Sequence, residues 1–421
     1  MHYATHSIAA LLGTSLIALS AQAGQTANFR LLIDDGVTFD ETIYVSSISA
    51  DGTTVVGAEV RASEQFTPHV GFKWIHASGT YVELPERARG IFDVSGDGSV
   101  VVGTSHALIV NPGQQDRASL WTTNGLEEIG PLQSWAYAIS DDGAKAVGYA
   151  WTGPDYEASV WENGVRTAVP QTLSHRSRAL GISGDGGAIF GWYVRPGEQA
   201  DHGSFLHYVG GQPIALELPV LDPRLNSVVR TRVNEANADG AVVVGTAVCK
   251  YDLMGSDGVL RPNREVSLGW IYRHGQGYEL LGSFNDDNRI SFERTDFESG
   301  FAISGDGNTV LGYDSESRSM IWTAVEGTRN FEDLLVDAYS IDLNGWTLSP
   351  TAMSADGSTV AGIATREADG VRTAFIVELP AVINVCTADM NDDFAGDLGD
   401  FGAVGAAFGS ALGDVNYNER A

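Results

Sequence analysis

The stretch Ile139-Ser-Asp-Asp-Gly-Ala-Lys-Ala-Val-Gly148 decides the fold, because close copies of it recur along the chain. Most copies consist of an apolar residue, a Ser, a variable residue, Asp-Gly, and an apolar run that ends in Gly. The seven copies lie 43 to 67 residues apart, with their aspartates at Asp51, Asp97, Asp142, Asp185, Asp239, Asp306 and Asp356. A repeat of this length indicates units that each bury apolar surface against their neighbours.

Each copy predicts a β-hairpin. The short Ser and Asp side chains can bond nearby backbone amides, and the Gly supplies the positive φ that a tight turn needs. Because an identical residue at the same point of every unit is what equivalent turns require, we interpret the seven aspartates as structural rather than catalytic.

Two further strands follow each hairpin. The third strand carries an aromatic motif such as Gly71-Phe-Lys-Trp74, and the fourth resembles Tyr81-Val-Glu-Leu-Pro85. Four strands in about 45 residues are typical of a propeller blade. The sequence therefore predicts an all-β, seven-bladed β-propeller as one domain over residues 24–380. Six or eight blades remain alternatives, because the insertion-rich stretch 246–300 obscures the count. We interpret the recurrent tryptophans as blade packing: Trp74, Trp121, Trp161, Trp270 and Trp322.

The two ends of the repeat array complement each other. The seventh unit stops after Ala374-Phe-Ile-Val-Glu-Leu379 and lacks a fourth strand, whereas Phe29-Arg-Leu-Leu-Ile33 precedes the first hairpin. We expect this N-terminal segment to complete the last blade, which would close the ring and remove its exposed sheet edges.

The N-terminus has the features of a secretory signal. Residues 8–20 are an apolar run, and Ala21-Gln-Ala23 matches the small-x-small cleavage pattern. The run is too short to cross a bilayer, and no later stretch reaches the length of about 20 apolar residues that a spanning helix needs. We expect a signal peptide over residues 1–23, a mature chain from Gly24, no membrane span, and a secreted or cell-surface location in a bacterium.

Charge excludes one class of partner. The chain has 54 acidic and 25 basic residues, a formal net charge of −29, which repels phosphate backbones and anionic lipid headgroups. We therefore expect no nucleic-acid partner, and we expect a monomer. The two cysteines, Cys249 and Cys386, are consistent with an extracellular fold without a disulfide framework, and whether they pair is open.

Beyond residue 380 the pattern changes to a short acidic module. Oxygen-bearing side chains occupy loop positions 1, 3, 5, 9 and 12 of a calcium loop: Asp389, Asn391, Asp393, Asp397 and Asp400. The segment Leu398–Phe408 has helical apolar spacing, so we predict a calcium loop that leads into a helix over part of 381–421. Phe394 replaces the turn glycine, and a second loop that opens at Asp414 is truncated. A flexible acidic linker is the alternative.

Two family resemblances rest on these motifs. Residues 44–380 resemble the HAF-type extracellular repeat family through their Ser-x-Asp-Gly hairpins. That resemblance implies a secreted propeller without an established chemistry. Residues 386–421 look like the first half of a dockerin, which implies calcium binding and docking to a cohesin or another cell-surface partner.

The largest break in the repeat lies between Gly245 and Gly300. Long insertions on a rigid scaffold often carry binding residues. The candidate binding residues in this insertion are Asp252, Asp257, Asp286, Asp287, Glu293 and Asp296. No isolated catalytic motif is present, so we favour a non-catalytic binding or display protein with an extracellular glycan or a surface protein as partner. The alternative is a polysaccharide hydrolase or lyase in which two carboxylates act as acid and base.

Overall fold

The computed structural model contains seven four-stranded antiparallel sheets arranged as the blades of a propeller. The expected all-β, seven-bladed fold is confirmed. The residues that the structure describes are 27–35, 42–60, 69–85, 88–106, 116–153, 155–170, 176–194, 203–222, 225–254, 260–281, 299–314 and 316–380.

Six blades take their strands in chain order, from the innermost strand outward. The first blade contains β2 (Thr42–Ile48), β3 (Thr54–Val60), β4 (His69–Ile75) and β5 (Thr80–Glu83). The second contains β6 (Ala88–Val94), β7 (Val101–His106), β8 (Asp116–Thr122) and β9 (Gly125–Glu128). The third contains β10 (Ser134–Ile139), β11 (Lys145–Trp151), β12 (Tyr156–Glu162) and β13 (Val165–Ala168). The fourth blade contains β14 (Ser177–Ile182), β15 (Ala188–Tyr193), β16 (Gly203–Tyr208) and β17 (Ile214–Leu216). The fifth contains β18 (Leu225–Ala236), β19 (Val242–Met254), β20 (Leu260–Arg273) and β21 (Gly277–Leu280). The sixth contains β22 (Ser299–Ile303), β23 (Thr309–Tyr313), β24 (Ser319–Thr323) and β25 (Gly327–Asn330).

The seventh blade joins the first and last strands of the propeller, as predicted. It contains β26 (Trp346–Met353), β27 (Thr359–Arg366), β28 (Arg372–Glu378) and, as its outermost strand, β1 (Asn28–Leu31). Strand β1 pairs antiparallel with β28, from Asn28 opposite Glu378 to Leu31 opposite Phe375. Leu31 is buried, and a short 3-10 turn over Leu32–Asp35 follows. This pairing covers the edge of β28 and closes the ring.

The repeated phrase forms the turn between the first two strands of each blade. In the second blade, the Ser95 hydroxyl donates to an Asp97 oxygen at 2.8 Å, and that oxygen accepts the Ser99 amide at 2.8 Å. The Val100 amide donates to the Ser95 hydroxyl at 2.9 Å. Gly98 has φ +70°, and the corresponding glycines of the other six turns have φ between +70° and +72°. The predicted turn geometry of the Ser, Asp and Gly residues is confirmed.

The glycine that ends each phrase is required for a different reason, which is steric. Every innermost strand contains a β-bulge, at which the pairing register shifts by one residue. In the third blade, the bulged strand brings the Trp135 carbonyl oxygen to the place that a Cβ of Gly148 would occupy. Only glycine fits at that position.

Apolar surface is buried between neighbouring blades. Trp74, Trp161 and Trp270 are among the largest fully buried side chains, and Trp121 and Trp322 are also buried. The interpretation of these tryptophans as blade packing is confirmed. Their burial excludes them from the described surface.

Two elements depart from the repeat. The inner three strands of the fifth blade are 12, 13 and 14 residues long, so much of the predicted insertion is paired strand. The second departure is helix α1 (Phe331–Tyr339), which precedes β26, with Asn330 as its N-cap. Within the described ranges, no helix is long and apolar enough to cross a membrane.

Candidate functional site at the mouth of the central channel

The seven innermost strands surround a central channel. The residue at each β-bulge lines this channel, so the bulges place one side chain of every blade there. These seven residues are Ser46, Phe92, Tyr137, Leu180, Asn234, Phe301 and Thr351. Small, aromatic, aliphatic and amide side chains therefore meet in one place, although the surrounding backbone is repetitive.

The turns form a closed ring at one end of the channel, which we call the turn end. The backbone of each turn donates a hydrogen bond of 2.6 to 3.2 Å to the turn of the adjacent blade. The acceptors around the ring are the carbonyl oxygens of Ala50, Gly96, Asp141, Gly184, Ala238, Gly305 and Ala355. Seven links close the circle, so the turn end ties every blade to the next.

The other end of the channel, which we call the mouth, opens into a cavity of about 560 Å³. A volume of this size is typical of small-molecule pockets. The described residues that line it belong to the first five blades, and they include Phe92, Tyr137 and Trp192 together with Arg178 and Arg232. A second cavity of about 200 Å³ lies toward the turn end.

Two carboxylates, Asp93 and Glu235, line both cavities. Asp93 accepts hydrogen bonds from the Ser47 hydroxyl at 2.7 Å and from the Ile139 amide at 3.0 Å. Burial raises the pKa of Asp93 to about 6, although these hydrogen bonds oppose the shift. Two blades of the ring are thus linked to Asp93 on the blade between them.

The pKa of the Glu235 carboxyl is raised more than that of Asp93. Burial raises its pKa to about 8, and the negative charge of Asp93 adds to the shift. Its described hydrogen bond comes from the Ala236 amide at 3.0 Å. At neutral pH, Glu235 is therefore mainly protonated and can donate a hydrogen bond, while Asp93 is mainly ionised.

A third carboxylate, Asp141, lies at the turn end. Burial raises the pKa of Asp141, and the neighbouring charges of Asp142 and Asp185 raise it further. Side chains at Gly96 or Gly184 would collide with it. Three carboxyl groups thus line the channel, at Asp93, Asp141 and Glu235.

Aromatic side chains hold a cation beside the mouth. The Arg178 guanidinium carbon lies 4.2, 4.7 and 4.9 Å from the ring centres of Tyr149, Tyr156 and Trp192. Tyr149 also stacks on Trp135, with ring centres 4.8 Å apart. Contacts of this kind attract a cation and fix its position.

Of the predicted binding residues of the insertion, Asp252 lies in the described part of the chain, and it does not line the mouth cavity. Asp252 is exposed and accepts hydrogen bonds from the Asn226 side chain at 2.8 Å and the Asn263 amide at 2.9 Å, so it connects the three long strands of the fifth blade. The other five lie outside the described residues: Asp257, Asp286, Asp287, Glu293 and Asp296.

The predicted calcium ligands Asp389, Asn391, Asp393, Asp397 and Asp400 also lie outside the described residues. Among the residues that are described, no three His, Cys, Asp or Glu side chains are grouped as a metal site requires. Cys249 is buried, and burial raises its pKa to about 11. Cys386 lies beyond the described part, so its pairing remains open.

Sequence reasoning missed the channel residues, although aligned copies of the phrase contain a signal for them. Two residues before the Ser position, five copies have Ser, Ala or Gly, while the other two have Asp93 and Glu235. One residue after it, six copies have Ala or Gly, and the third has Asp141. Where the other aligned copies have small residues, an acidic residue is not required by the repeat structure and therefore indicates a functional site.

Comparisons with known proteins assign the chain to no family. No protein-family model matches it, and no curated protein matches it. Among solved structures, it is similar to the β-propeller domain of the Trilobed protease from Pyrococcus furiosus, with 12% identity, a TM-score of 0.49, and coverage of 80% of this chain and 95% of that one. It is also similar to hydrazine synthase of Kuenenia stuttgartiensis, with 12% identity, a TM-score of 0.44, and coverage of 78% and 94%.

A third similarity is to the putative TolB from Agrobacterium tumefaciens, with 14% identity, a TM-score of 0.37, and coverage of 57% of this chain and 88% of that one. At these identities and TM-scores, the similarities concern the propeller architecture and carry no functional argument. The HAF-type and dockerin resemblances remain hypotheses.

Proposed function

We propose that this protein is a secreted, non-catalytic binding protein that takes up a small extracellular solute in its mouth cavity. The observation that carries the proposal is the break in the repeat at the mouth. A cavity of about 560 Å³ there combines aromatic, basic and acidic side chains, whereas the turn end repeats one structure seven times. Such a mixture of apolar walls and a few polar groups is typical of ligand sites.

A blocking substitution tests this proposal. Leu180 lines the mouth cavity, so Leu180→Trp fills part of it, while Val165→Trp adds the same bulk at a position that is 64% exposed on an outer strand. The full chain is screened by thermal shift against a library of extracellular sugars, organic acids, amino acids and peptides. We expect at least one ligand that stabilises the wild type and Val165→Trp but has no effect on Leu180→Trp. A ligand that stabilises all three equally would contradict a mouth site.

The C-terminal module supports a second part of the proposal, which is anchoring. We infer that the loop from Asp389 to Asp400 binds calcium and docks the protein to a cohesin-like or other cell-surface partner, because its oxygen side chains have calcium-loop spacing. The test is calcium titration of the full chain against Asp389→Ala and Asp393→Ala. We expect one calcium site fewer in each variant, and equal calcium uptake by all three would identify the tail as a linker.

Secretion is tested separately. The signal-peptide prediction requires the protein in the culture medium or at the cell surface to begin at Gly24. N-terminal sequencing checks this directly, and an intact Met1 on the exported protein would contradict it.

The alternative function is a polysaccharide hydrolase or lyase. Two observations favour it: Asp93 and Glu235 line the same channel, and their environments hold their pKa values at about 6 and about 8. A pair of carboxyls with separated pKa values is what acid and base roles need. Release of reducing ends from polysaccharides, lost in Asp93→Asn and Glu235→Gln but kept in the surface control Glu162→Gln, would establish this function in place of the first.

A further inference from the structure

Arg178 has no acidic partner among the described residues, although the chain is rich in acidic side chains. Acidic residues outnumber basic ones by 54 to 25, yet no carboxylate among the described residues pairs with this guanidinium. Its Nε is buried and has no hydrogen-bond acceptor in the described structure. A buried donor without an acceptor destabilises the fold, because it has lost its hydrogen bonds to water. The aromatic rings around it orient the group but accept none of its N–H bonds in the plane where guanidinium donors lie.

A second arginine occupies the same position on the next blade. Arg178 and Arg232 each lie two residues before the bulge residue of their innermost strands, β14 and β18. Arg232 is exposed and lines the same cavity as Arg178. No ion pair of Arg232 is found within the described part of the chain. Two guanidiniums thus border one cavity on adjacent blades.

At neutral pH, positive charges outnumber negative ones among the described residues that line the mouth cavity, although the whole molecule is strongly negative. Burial holds the pKa of Glu235 at about 8, so at neutral pH the charges that line the cavity are those of the two arginines and Asp93. The whole chain carries −29. Its long-range field repels polyanions, while the arginines attract an anion at short range. This combination favours a small anionic ligand over a long acidic polymer.

The remaining lining residues restrict the ligand further. Phe92, Tyr137 and Trp192 supply flat apolar surface, and the Asp93 carboxylate and the Asn234 amide oxygen supply acceptors beside it. The Asn234 amide nitrogen already donates to the Thr246 hydroxyl and the Gly300 carbonyl oxygen. A sugar ring has an apolar face and a rim of hydroxyl groups that suit these two kinds of surface. A planar carboxylate suits the forked donors of a guanidinium.

We propose that the mouth cavity binds an acidic sugar of the hexuronate class, with the carboxylate of the sugar held by Arg178 and Arg232. This inference rests on the proposed function, because it names the class of solute that the mouth takes up. The carboxylate supplies an acceptor for the buried Arg178 donor, and the ring lies between the aromatic side chains and the acids of the channel.

The experiment is isothermal titration of the full chain with three probes. Galacturonate and galactose differ only in whether carbon 6 is a carboxylate, and glutarate is a carboxylate without a sugar ring. We expect the wild type to bind galacturonate about tenfold or more tightly than galactose, because a hydrogen bond to a charged group is lost with galactose. We also expect weaker binding of glutarate.

Arg178→Lys is the decisive variant, because lysine keeps the positive charge but lacks the planar fork. We expect it to weaken galacturonate binding about tenfold and to weaken galactose binding by a smaller factor, so that the preference for galacturonate falls. The matched control is Arg329→Lys, since Arg329 pairs with Glu326 on an outer strand of the sixth blade. Thermal unfolding of each variant verifies that the fold is intact.

Three results would overturn the inference. Galacturonate binding that survives Arg178→Lys would remove Arg178 from the site. Equal affinity for galactose and galacturonate would remove the carboxylate requirement, and equal affinity for glutarate would remove the sugar. If the solute library yields only neutral ligands that Leu180→Trp abolishes, the proposed function stands and this inference fails. If no ligand is sensitive to Leu180→Trp, both fail.

Discussion

The two ends of the channel differ in how closely they follow the repeat. At the turn end, seven equivalent turns donate hydrogen bonds to one another in a closed ring. At the mouth, the same strands carry residues as different as Trp135, Arg178 and Ser349 at one repeat position. The backbone of the seven blades is equivalent at both ends. We therefore interpret the uniform residues of the turn end as those that the fold requires. The residues at the mouth vary although folding does not require it, which indicates that they serve a function other than folding.

The largest effect should come from the repeat glycine opposite a bulge. Gly148→Ala drives a Cβ into the Trp135 carbonyl oxygen, so we expect a loss of about 3 kcal/mol or more in the free energy of unfolding. Gly164→Ala in the same blade is the control, because Gly164 has φ +73° but no atom near its missing Cβ. That change should cost about 1 kcal/mol. Urea unfolding measures both, and equal losses would contradict the steric explanation.

Next in size is the pH-dependent effect of Glu235. Its folded pKa of about 8 is raised above the ordinary glutamate value of 4.5, so the protonated carboxyl contributes stability that is complete below pH 4.5 and is lost as the pH rises through about 8. Glu235→Gln removes the ionisation. We expect the variant and the wild type to unfold alike near pH 4.5, and the variant to be more stable by roughly 2 to 5 kcal/mol above pH 8.

Thermal unfolding at pH 4.5, 7 and 9 provides this measurement, with the surface substitution Glu162→Gln as control. A difference between Glu235→Gln and the wild type that stays constant across this range would show that Glu235 is not held protonated by the channel.

A smaller and uniform effect is expected at the turns. Asp97→Ala, Asp142→Ala and Asp356→Ala should each cost about 1 kcal/mol at neutral pH, because each removes the acceptor of equivalent Ser and amide hydrogen bonds. Hydrogen bonds from Ser99 and Ser95 lower the pKa of Asp97 to about 2. The wild-type advantage over Asp97→Ala should therefore be complete above pH 3.8 and shrink as the pH falls toward 2.

Urea midpoints at pH 6 and pH 3 test this prediction. If one of the three aspartates cost far more than the others, or if its loss abolished ligand uptake, the turn end would not be a uniform scaffold.

The smallest effect concerns the insertion. Asp252 is exposed and connects Asn226 and Asn263 within the fifth blade, so Asp252→Asn should change the stability by less than about 1 kcal/mol. It should leave galacturonate binding unchanged. A loss of binding would restore Asp252 as a ligand residue, as its position in the insertion first indicated.

The sequence was sufficient for the fold because the turn chemistry repeats. The Ser, Asp and Gly of each turn and the strand at Phe29 have local causes, and all occupy their predicted places. Helix α1 was missed because it is only nine residues long and interrupts the repeat, although Asn330 caps the Asp333 amide in a recognisable way. The long strands of the fifth blade were interpreted as an insertion because their pairing is non-local.

The mouth could not be predicted from spacing along the chain. Arg178, Asp93 and Glu235 are far apart in sequence and come from three different blades. Ring closure alone brings them to one cavity, and the perturbation of Glu235 depends on burial that exists only in the folded state. Comparison of the seven copies column by column, rather than a search for motifs, would have identified the two acids.

Hydrogen exchange of the full chain, with and without saturating galacturonate, tests the central claim most directly. If the mouth is the binding site, amides in residues 176–182 and 230–235 should exchange more slowly with the ligand, while the turns at 95–98, 140–143 and 304–307 should exchange at unchanged rates. Slower exchange at the turns, or no change at the mouth, would contradict the division of the channel into a structural turn end and a ligand-binding mouth.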